Sequence, residues 1–518
     1  MPFVPSPRQQ DFFNWVSHGE GSAILEAVAG AGKTTTIVRG AELMDGTVCM
    51  LAYNSKMAAE LKERVAGMDG VEAKTFHGAG FSALRRAFKS APWAQRGGGP
   101  DDKKVRRIVD ALIAEKGRDD LLGLEDTVCD IVSMAKQRGI GALSSIVDEQ
   151  QWYDMIDHFA LDENLPEGQE HMIPQLVKLG QICLKRSNET VAECIDFDDM
   201  VYVPLQRGLR MWQFDWLLVD EAQDTNPTRR ALARKMLRPG GRLVAVGDPH
   251  QAIYGFTGTD NDSLDQIARD FGCIRLPLTV TYRCPKAVVA VARQWVDHIE
   301  AHETAPQGEV VRYDYEEILD RVRIGDAVLC RYNKPLVSLV FKLIKAGVPA
   351  KIEGRAIGEG LVRLAGKWKV ATLDALAGRL EKYLEREVAK AKARGDERKV
   401  EEVHDRVDTM HVLIDRAREL KHTRVTELQE MIRTVFDDRV VDAKNMVTLC
   451  SGHRSKGLEW DRVHILGLEE LQPGRAKHDW QLQQEFNLMY VEVTRAKQTL
   501  HIVSGLREDR QETPNAGR

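Results

Sequence analysis

The segment Ala27-Val28-Ala29-Gly30-Ala31-Gly32-Lys33-Thr34 follows an apolar run, Ala23–Val28, and precedes a helical pattern. A glycine-rich turn in that position lets successive backbone N–H groups face one anion, and the N-terminus of the following helix adds positive potential. A lysine and a hydroxyl residue at its end have the reach and the chemistry for a nucleotide: Lys33 for the β- and γ-phosphates, Thr34 for Mg²⁺. Ala27 stands where such loops usually carry their first glycine, and the strand–turn–helix context makes up for it. Phosphoryl chemistry also needs an acid at the end of a neighbouring strand, and Trp216-Leu217-Leu218-Val219-Asp220-Glu221 supplies two. Asp220 is placed to hold the metal, directly or through water, and Glu221 to orient or deprotonate an attacking water.

The elements that must position these residues are legible as short apolar runs ending in Gly or Asp that alternate with helical patterns, the signature of parallel α/β sheets. One set lies at Ala23–Val28, Val48–Ala52, Trp216–Val219 and Leu243–Val246, and a second at Ala327–Cys330, Asn445–Leu449, Val463–Leu466 and Leu500–Val503. Two sheets with separate cores are therefore expected, in keeping with 518 residues. Residues 86–190 lack strand signals, and Gly97-Gly98-Gly99-Pro100 marks a turn inside them. Residues 366–440 are highly charged; Val400, Val403, Val407, Met410, Ile414 and Ala417 recur at helical spacing, and Gly395-Asp396 breaks the run before them. That pattern predicts a helical hairpin with a packing stripe and a solvated outer face.

Composition removes several classes. No apolar stretch approaches the ~20 residues that span a bilayer, and Met1–Gln10 carries no secretory pattern. The eight cysteines are scattered with no Cys-x-x-Cys pair, which argues against a disulfide framework or a thiolate metal site and for a reducing cytoplasm. The formal net charge of -5 means that nucleic acid, if bound, is held by a local groove and not by bulk charge.

At Asp220-Glu221-Ala222-Gln223-Asp224 the chain resembles the UvrD/Rep/PcrA-like family of superfamily-one DNA helicases, and further motifs follow in the family's order. These are Ser6 with Gln9; Leu51-Ala52-Tyr53-Asn54-Ser55-Lys56; Thr75-Phe76-His77; and Val246-Gly247-Asp248-Pro249-His250-Gln251-Ala252-Ile253-Tyr254-Gly255-Phe256. Then come Thr281-Tyr282-Arg283, Ser451–Trp460 with His453 and Glu459, and Tyr490–Lys497 with Arg495. The resemblance covers most of the chain.

The resemblance implies an α/β fold of the P-loop NTPase kind: two RecA-like parallel-sheet motor domains with helical insertions, and ATP with Mg²⁺ in the cleft between them. Domain one is expected at 1–85 and 191–275 with an insertion at 86–190. Domain two is expected at 276–365 and 441–508 with a short insertion at 366–440, and 509–518 as a polar tail. By the same resemblance Gln9 reads adenine and Ala29, Gly30, Ala31, Gly32, Lys33, Thr34 and Thr35 cradle the phosphates. Gln251 senses the γ-phosphate and Glu459 meets the sugar. Thr34 and Asp220 hold the metal, Glu221 is the catalytic base, and Arg283 and Arg495 are charge-stabilising arginines. Tyr53, Asn54, His77, Tyr254, Phe256 and His453 line the strand path, while Phe76 is expected in the core. The partner implied is single-stranded DNA, or duplex with a single-stranded tail, tracked 3′→5′. Two departures are visible: Phe256-Thr257-Gly258-Thr259 replaces the usual Trp-Arg-Gly-Ala, and Cys284 replaces a Ser or Asn. With the short second insertion they keep open a translocase that strips proteins from single strands with little unwinding. An ATP-gated binding switch is the reading from another class; two arginines and a catalytic glutamate argue against it.

Overall fold

A computed structural model describes residues 3–118, 121, 123–159, 161, 170–253, 262–353, 355–392, 397–436, 445–470 and 479–506. The chain divides into two compact units, Met1–Thr279 with Ala391–Asp396, and Val280–Lys390 with Glu397–Arg518.

The first unit is built on a six-stranded sheet of β1 (Ser22–Ala27), β2 (Val48–Ala52), β3 (Val71–Thr75), β4 (Phe214–Val219), β5 (Leu237–Gly247) and β6 (Cys273–Leu278). Their order is β3-β2-β4-β5-β1-β6, and every pairing is parallel. The inner strands are apolar throughout because helices cover both faces, as in β2, where all five residues are buried. Glu26 pairs with Gly247 and Val219 with Ala245, so the loops leaving β1, β4 and β5 emerge side by side at the carboxyl edge. The chain leaves β1 and re-enters the sheet beyond β4 and β5, and the crevice created by such a reversal is where open α/β sheets bind ligands.

Between β3 and β4 the described residues are helical, including Phe76–Ala87, Lys104–Lys116, Glu125–Arg138, Ile173–Glu189 and Asp199–Gln206. They enclose their own core around Trp152, Leu112, Val128, Ile131 and Leu184. An ion network is buried beside that core: Lys136 Nζ reaches Asp196 at 2.5 Å and Asp199 at 2.7 Å, and Lys104 reaches Asp199 at 2.7 Å.

The second unit carries a two-stranded pair, β7 (Val280–Thr281) with β8 (Glu300–Ala301), and a second parallel six-stranded sheet. Its strands are β9 (Glu309–Asp314), β10 (Ala327–Cys330), β11 (Ala350–Ile352), β12 (Val447–Ser451), β13 (Trp460–Leu466) and β14 (Ala496–Ser504), in the order β11-β12-β10-β13-β14-β9. The strand expected from Asn445 starts at Val447, and those expected at Leu243, Val463 and Leu500 start earlier, at Leu237, Trp460 and Ala496.

The charged segment forms helices Leu373–Lys392 and Glu397–Glu419, followed by Val425–Val435. Val403, Val407, Met410, Ile414 and Ala417 are buried in one apolar core with Leu336, Leu339, Val328 and Leu449, so this stripe packs directly onto the second sheet's own layers. Asp405, on the same helix, accepts from Lys334 N at 2.7 Å and Asn333 N at 3.3 Å and thereby caps helix Asn333–Lys345. Among the described residues no helix is long and apolar enough to cross a membrane.

Met410 is fully buried in this core, whereas Val400, on the same stripe, is only half-buried. Met410→Ala is expected to lower the stability of the second unit by about 2–5 kcal/mol, and Val400→Ala by clearly less, read from urea unfolding followed by circular dichroism. Equal small shifts for both would show that the stripe is not part of the core.

Candidate functional site

The loop after β1 is held open by its backbone. Gly30 and Gly32 take φ of 73° and 76°, a left-handed conformation that favours glycine. Val28 N donates to Leu278 O (3.0 Å) and Ala31 N to Val28 O (3.2 Å). Gly32 is the cap of helix Lys33–Ala41 and offers no side chain to its first N–H groups, which leaves that end suited to an anion. Gln9 supports the same helix from outside. Its Nε2 donates to Thr36 Oγ1 (2.8 Å), and its Oε1 accepts from Ser6 N (2.9 Å) while Ser6 Oγ accepts from Gln9 N (3.2 Å). The Ser6–Gln9 spacing is therefore a capping box at the start of helix Pro7–His18, and the Gln9 side chain is buried.

Lys33 Nζ lies 3.0 and 3.1 Å from the two carboxylate oxygens of Glu221. Glu221 itself is strained, a non-glycine residue at φ 50° and ψ 46°, a conformation that costs on the order of 1–3 kcal/mol. Gln223 holds it there: Nε2 donates to Glu221 Oε2 (2.5 Å), and Oε1 accepts from Asp248 N (3.1 Å). A Cβ on Gly247 would sit 2.4 Å from that Oε1, so only glycine leaves room for Gln223 at the end of β5. Asp248 also accepts from Gln251 Nε2 (2.8 Å) and His250 N (3.0 Å). Gln251 is thus tied to the same carboxylate cluster as Lys33 and Glu221. Neither Gln223 nor Asp248 was singled out in the sequence, although both stand in the motifs quoted; an amide two residues after an acid carries no signal of its own until the strands align.

Asp220 is 3 % exposed, and its Oδ1 accepts from Glu221 N (3.0 Å). Burial, and next the charge of Glu221, push its carboxyl up to about 7, against the pull of Lys33. Burial also raises Asp248. Three acidic side chains thus surround a single ammonium, an environment that favours an added cation. Among the described residues no cluster of three His, Cys, Asp or Glu side chains is poised for a metal. Mg²⁺ needs no such cluster, since it takes one or two protein oxygens and completes its shell from phosphate and water. The hard oxygens of Thr34 and Asp220 fit it.

A second group in the same unit gathers around the ends of β2 and β3. Tyr53 follows β2, and Asn54 caps helix Ser55–Arg64 by accepting from Met57 N (2.9 Å). His77 lies in the first turn of helix Phe76–Ala87, edge-on to Phe197 at 5.9 Å, and burial and then Arg229 lower it to about 4. Phe76 is in the sheet core. Tyr53, His77, Asp198, Asn226, Thr228 and Arg229 line a cavity of about 150 Å³. Arg229 connects the two groups. Its guanidinium lies 4.8 Å over the Tyr53 ring, its Nη1 donates to Asp224 O (2.9 Å), and Asp224 N donates to Glu221 O (3.0 Å). Nothing in the sequence marked this arginine. Tyr254 and Phe256 lie outside the described residues.

In the second unit Arg283 Nε pairs with Glu459 Oε2 at 2.7 Å, and its Nη1 reaches Thr494 O at 3.4 Å. Arg495 is 1 % exposed; it donates to Val491 O (2.7 Å), Leu458 O (3.2 Å) and Thr494 Oγ1 (3.1 Å). The unit thus brings Arg283, Glu459 and Arg495 together around Thr494, with the Arg495 fork engaged by its own main chain. Cys284 is buried, its thiol raised by that burial, and donates to Thr494 O at 3.6 Å. His453 is half-buried in the short helix Gly452–Ser455.

Residues 9–272 match the UvrD/REP helicase N-terminal domain and residues 367–506 the UvrD-like helicase C-terminal domain. The chain is 23% identical over 614 aligned positions to the ATP-dependent DNA helicase PcrA of Staphylococcus epidermidis, covering 94% of this chain and 81% of that protein. With PcrA of Staphylococcus aureus the identity is 23% over 612 positions, covering 93% and 81%. With the ATP-dependent DNA helicase UvrD1 of Mycobacterium tuberculosis it is 28% over 389 positions, covering 65% and 48%. Strands β9, β10 and β11 fall between the two matched domains, yet they belong to the second sheet.

The raised Asp220 carboxyl has a consequence for stability. Between the ordinary value of 3.8 and about 7 the folded chain holds a proton that the unfolded chain releases. The stabilisation from this group is therefore full at low pH and is lost as pH rises to about 7. Asp220→Asn keeps the shape without the charge. Its melting temperature is expected to match the parent's near about pH 4 and to exceed it by a few degrees above about pH 7. A difference that does not change with pH would contradict the assignment.

Proposed function

This chain belongs to the UvrD/REP helicase family, and we propose that it is an ATP-driven motor that moves 3′→5′ along single-stranded DNA and opens duplex ahead of it. Both PcrA and UvrD1 are ATP-dependent DNA helicases. The observation that carries the coupling of fuel to track is Arg229, which bridges the Tyr53 ring and the Asp224 carbonyl of the turn that holds Glu221.

In this reading the loop Ala29–Thr35 cradles the phosphates, and Lys33 exchanges one Glu221 contact for the γ-phosphate. Thr34 and Asp220 would hold Mg²⁺, which would neutralise charge on the phosphate oxygens when bound. Glu221, positioned by Gln223, takes a proton from the attacking water. Gln251 shares Asp248 with that network and reports the γ-phosphate to the connection that continues to Tyr254 and Phe256. Arg283 and Arg495 supply positive charge for the transition state, and Glu459 orients Arg283 as well as the sugar. A base on Tyr53 shifts the ring under Arg229, and the turn at Glu221 follows. Motor and track meet in the cytoplasm, where all eight cysteines remain thiols.

A second reading, a translocase that displaces proteins and unwinds poorly, draws on the alignments. At 614 positions the PcrA alignment is longer than this 518-residue chain, so the relative carries stretches absent here. Strand-displacement assays on 3′-tailed, 5′-tailed and blunt duplexes separate the two. Unwinding of the 3′-tailed substrate alone supports the first; ATP consumption without strand separation supports the second; a preference for 5′ tails overturns the polarity.

Glu221→Gln is expected to retain ATP binding, measured by fluorescent-nucleotide titration, while turnover falls ~10²–10⁴-fold. Lys33→Ala should lose both. Arg283→Ala should slow turnover by up to ~10³–10⁵, and Lys should rescue it poorly because it lacks the planar fork of donors. Near-parental turnover in Glu221→Gln would remove that residue from the mechanism.

A further inference from the structure

The helix Phe76–Ala87 begins at the strand motif with His77 and continues into a surface that no part of the motor chemistry uses. Gly78, Phe81, Ser82, Arg85, Arg86 and Lys89 line an open groove of about 490 Å³ on one face. Gly78, Ser82 and Arg85 recur at helical spacing on this twelve-residue helix, ~18 Å long, and Lys89 follows just past its end.

Several surface arginines pair with a carboxylate, as Arg39 does with Glu42, Arg64 with Glu60 and Arg106 with Asp110. Among the described residues Arg85, Arg86 and Lys89 have no ion pair, and no acidic residue occurs between Glu72 and Asp101. Basic residues at a helix C-terminus are favoured by the helix dipole; that accounts for Arg85 and Arg86 in the last turn but not for the missing counter-charges or the groove. The guanidinium groups are pre-ordered instead by neutral partners. Arg85 Nε donates to Ala94 O (3.0 Å), Arg86 Nη1 to Ser82 Oγ (3.0 Å) and Arg86 Nη2 to Arg210 O (3.2 Å). Beside them Trp212 is 63 % exposed, with the Arg86 guanidinium 5.2 Å from its ring centre.

Unneutralised cations aligned with a strand motif, next to a solvent-facing indole, have the chemistry of a single-strand surface. Phosphates meet the cations, and an unpaired base stacks on the ring, which a base within a duplex cannot do. The geometry points to a second DNA-contact surface: the groove of Arg85, Arg86 and Lys89, with Trp212, binds the single strand where it continues past His77. This rests on the DNA-motor reading above and extends its footprint.

The test is affinity against strand length. Fluorescein-labelled oligothymidylates of about 8 nucleotides and of roughly three times that length are titrated by anisotropy across a salt series. The full-length protein is compared with Arg85→Gln/Arg86→Gln/Lys89→Gln and with Trp212→Ala. The expected result is an unchanged affinity of both variants for the short strand. On the long strand the triple variant's salt slope should be shallower by about 2, from ~0.7 per lost phosphate contact. Trp212→Ala should bind the long strand at least ~5-fold more weakly. Parental binding of long strands by both variants overturns the groove, and so does equal weakening on both lengths, which places these residues in the central track or the fold. If the parent protein binds neither strand, the DNA-motor reading fails and the groove fails with it.

Discussion

The contact between Lys33 and Glu221 is the constraint from which the first unit is arranged. One ammonium lies among the acidic groups Asp220, Glu221 and Asp248, and burial resists charge on two of them. Such a cluster is stable only where strands deliver its members together, and the parallel order β4-β5-β1 does so by ending three strands at one edge. Gly247 and Gln223 then fix the spacing, since an added Cβ would displace the amide that holds Glu221. The strained backbone at Glu221 follows from the same demand: the carboxylate must face Lys33 while its neighbour Asp220 stays in the sheet's interior.

That strain gives the turn a mechanical character. A residue in a sparsely populated conformation persists only where its surroundings over-determine it, and one of those surroundings is the chain of bonds from Glu221 O through Asp224 to Arg229 and Tyr53. In the proposed motor a change at the ring would reach the Glu221 turn through three links, all within one compact unit. The second unit contributes a different economy: Arg283, Glu459 and Arg495 are organised around Thr494, so their positions depend on one short segment between helix Asp479–Val493 and β14.

The inner strands of both sheets were legible in the sequence because burial on both faces requires uninterrupted apolar runs, as in Val48–Ala52 and Ala327–Cys330. Of the two six-stranded sheets the strands that escaped were β3, β6, β9 and β11, and these are their edges. An edge strand is half solvated, so Val71-Glu72-Ala73-Lys74-Thr75 reads as a polar loop, and Pro277 in β6 is tolerated only there. At the site, motif residues gave the carboxylates and the lysine, but the amide and arginine that hold them were invisible because each also needs a partner that follows another strand, Asp248 for Gln223 and Tyr53 for Arg229. Gln9 illustrates the opposite case. Its spacing from Ser6 matches a nucleotide-reading motif and a capping box at once, and the hydrogen bonds display the second role.

The central claim is that strand binding and phosphate chemistry are one linked event. Steady-state ATP hydrolysis by the intact protein, measured over a range of single-stranded DNA concentrations, tests it most directly. The account expects slow turnover without DNA and a saturable rise of many-fold with it, half-maximal at the strand concentration that half-saturates binding. A rate that is the same with and without single-stranded DNA, at concentrations where binding is complete, would contradict it.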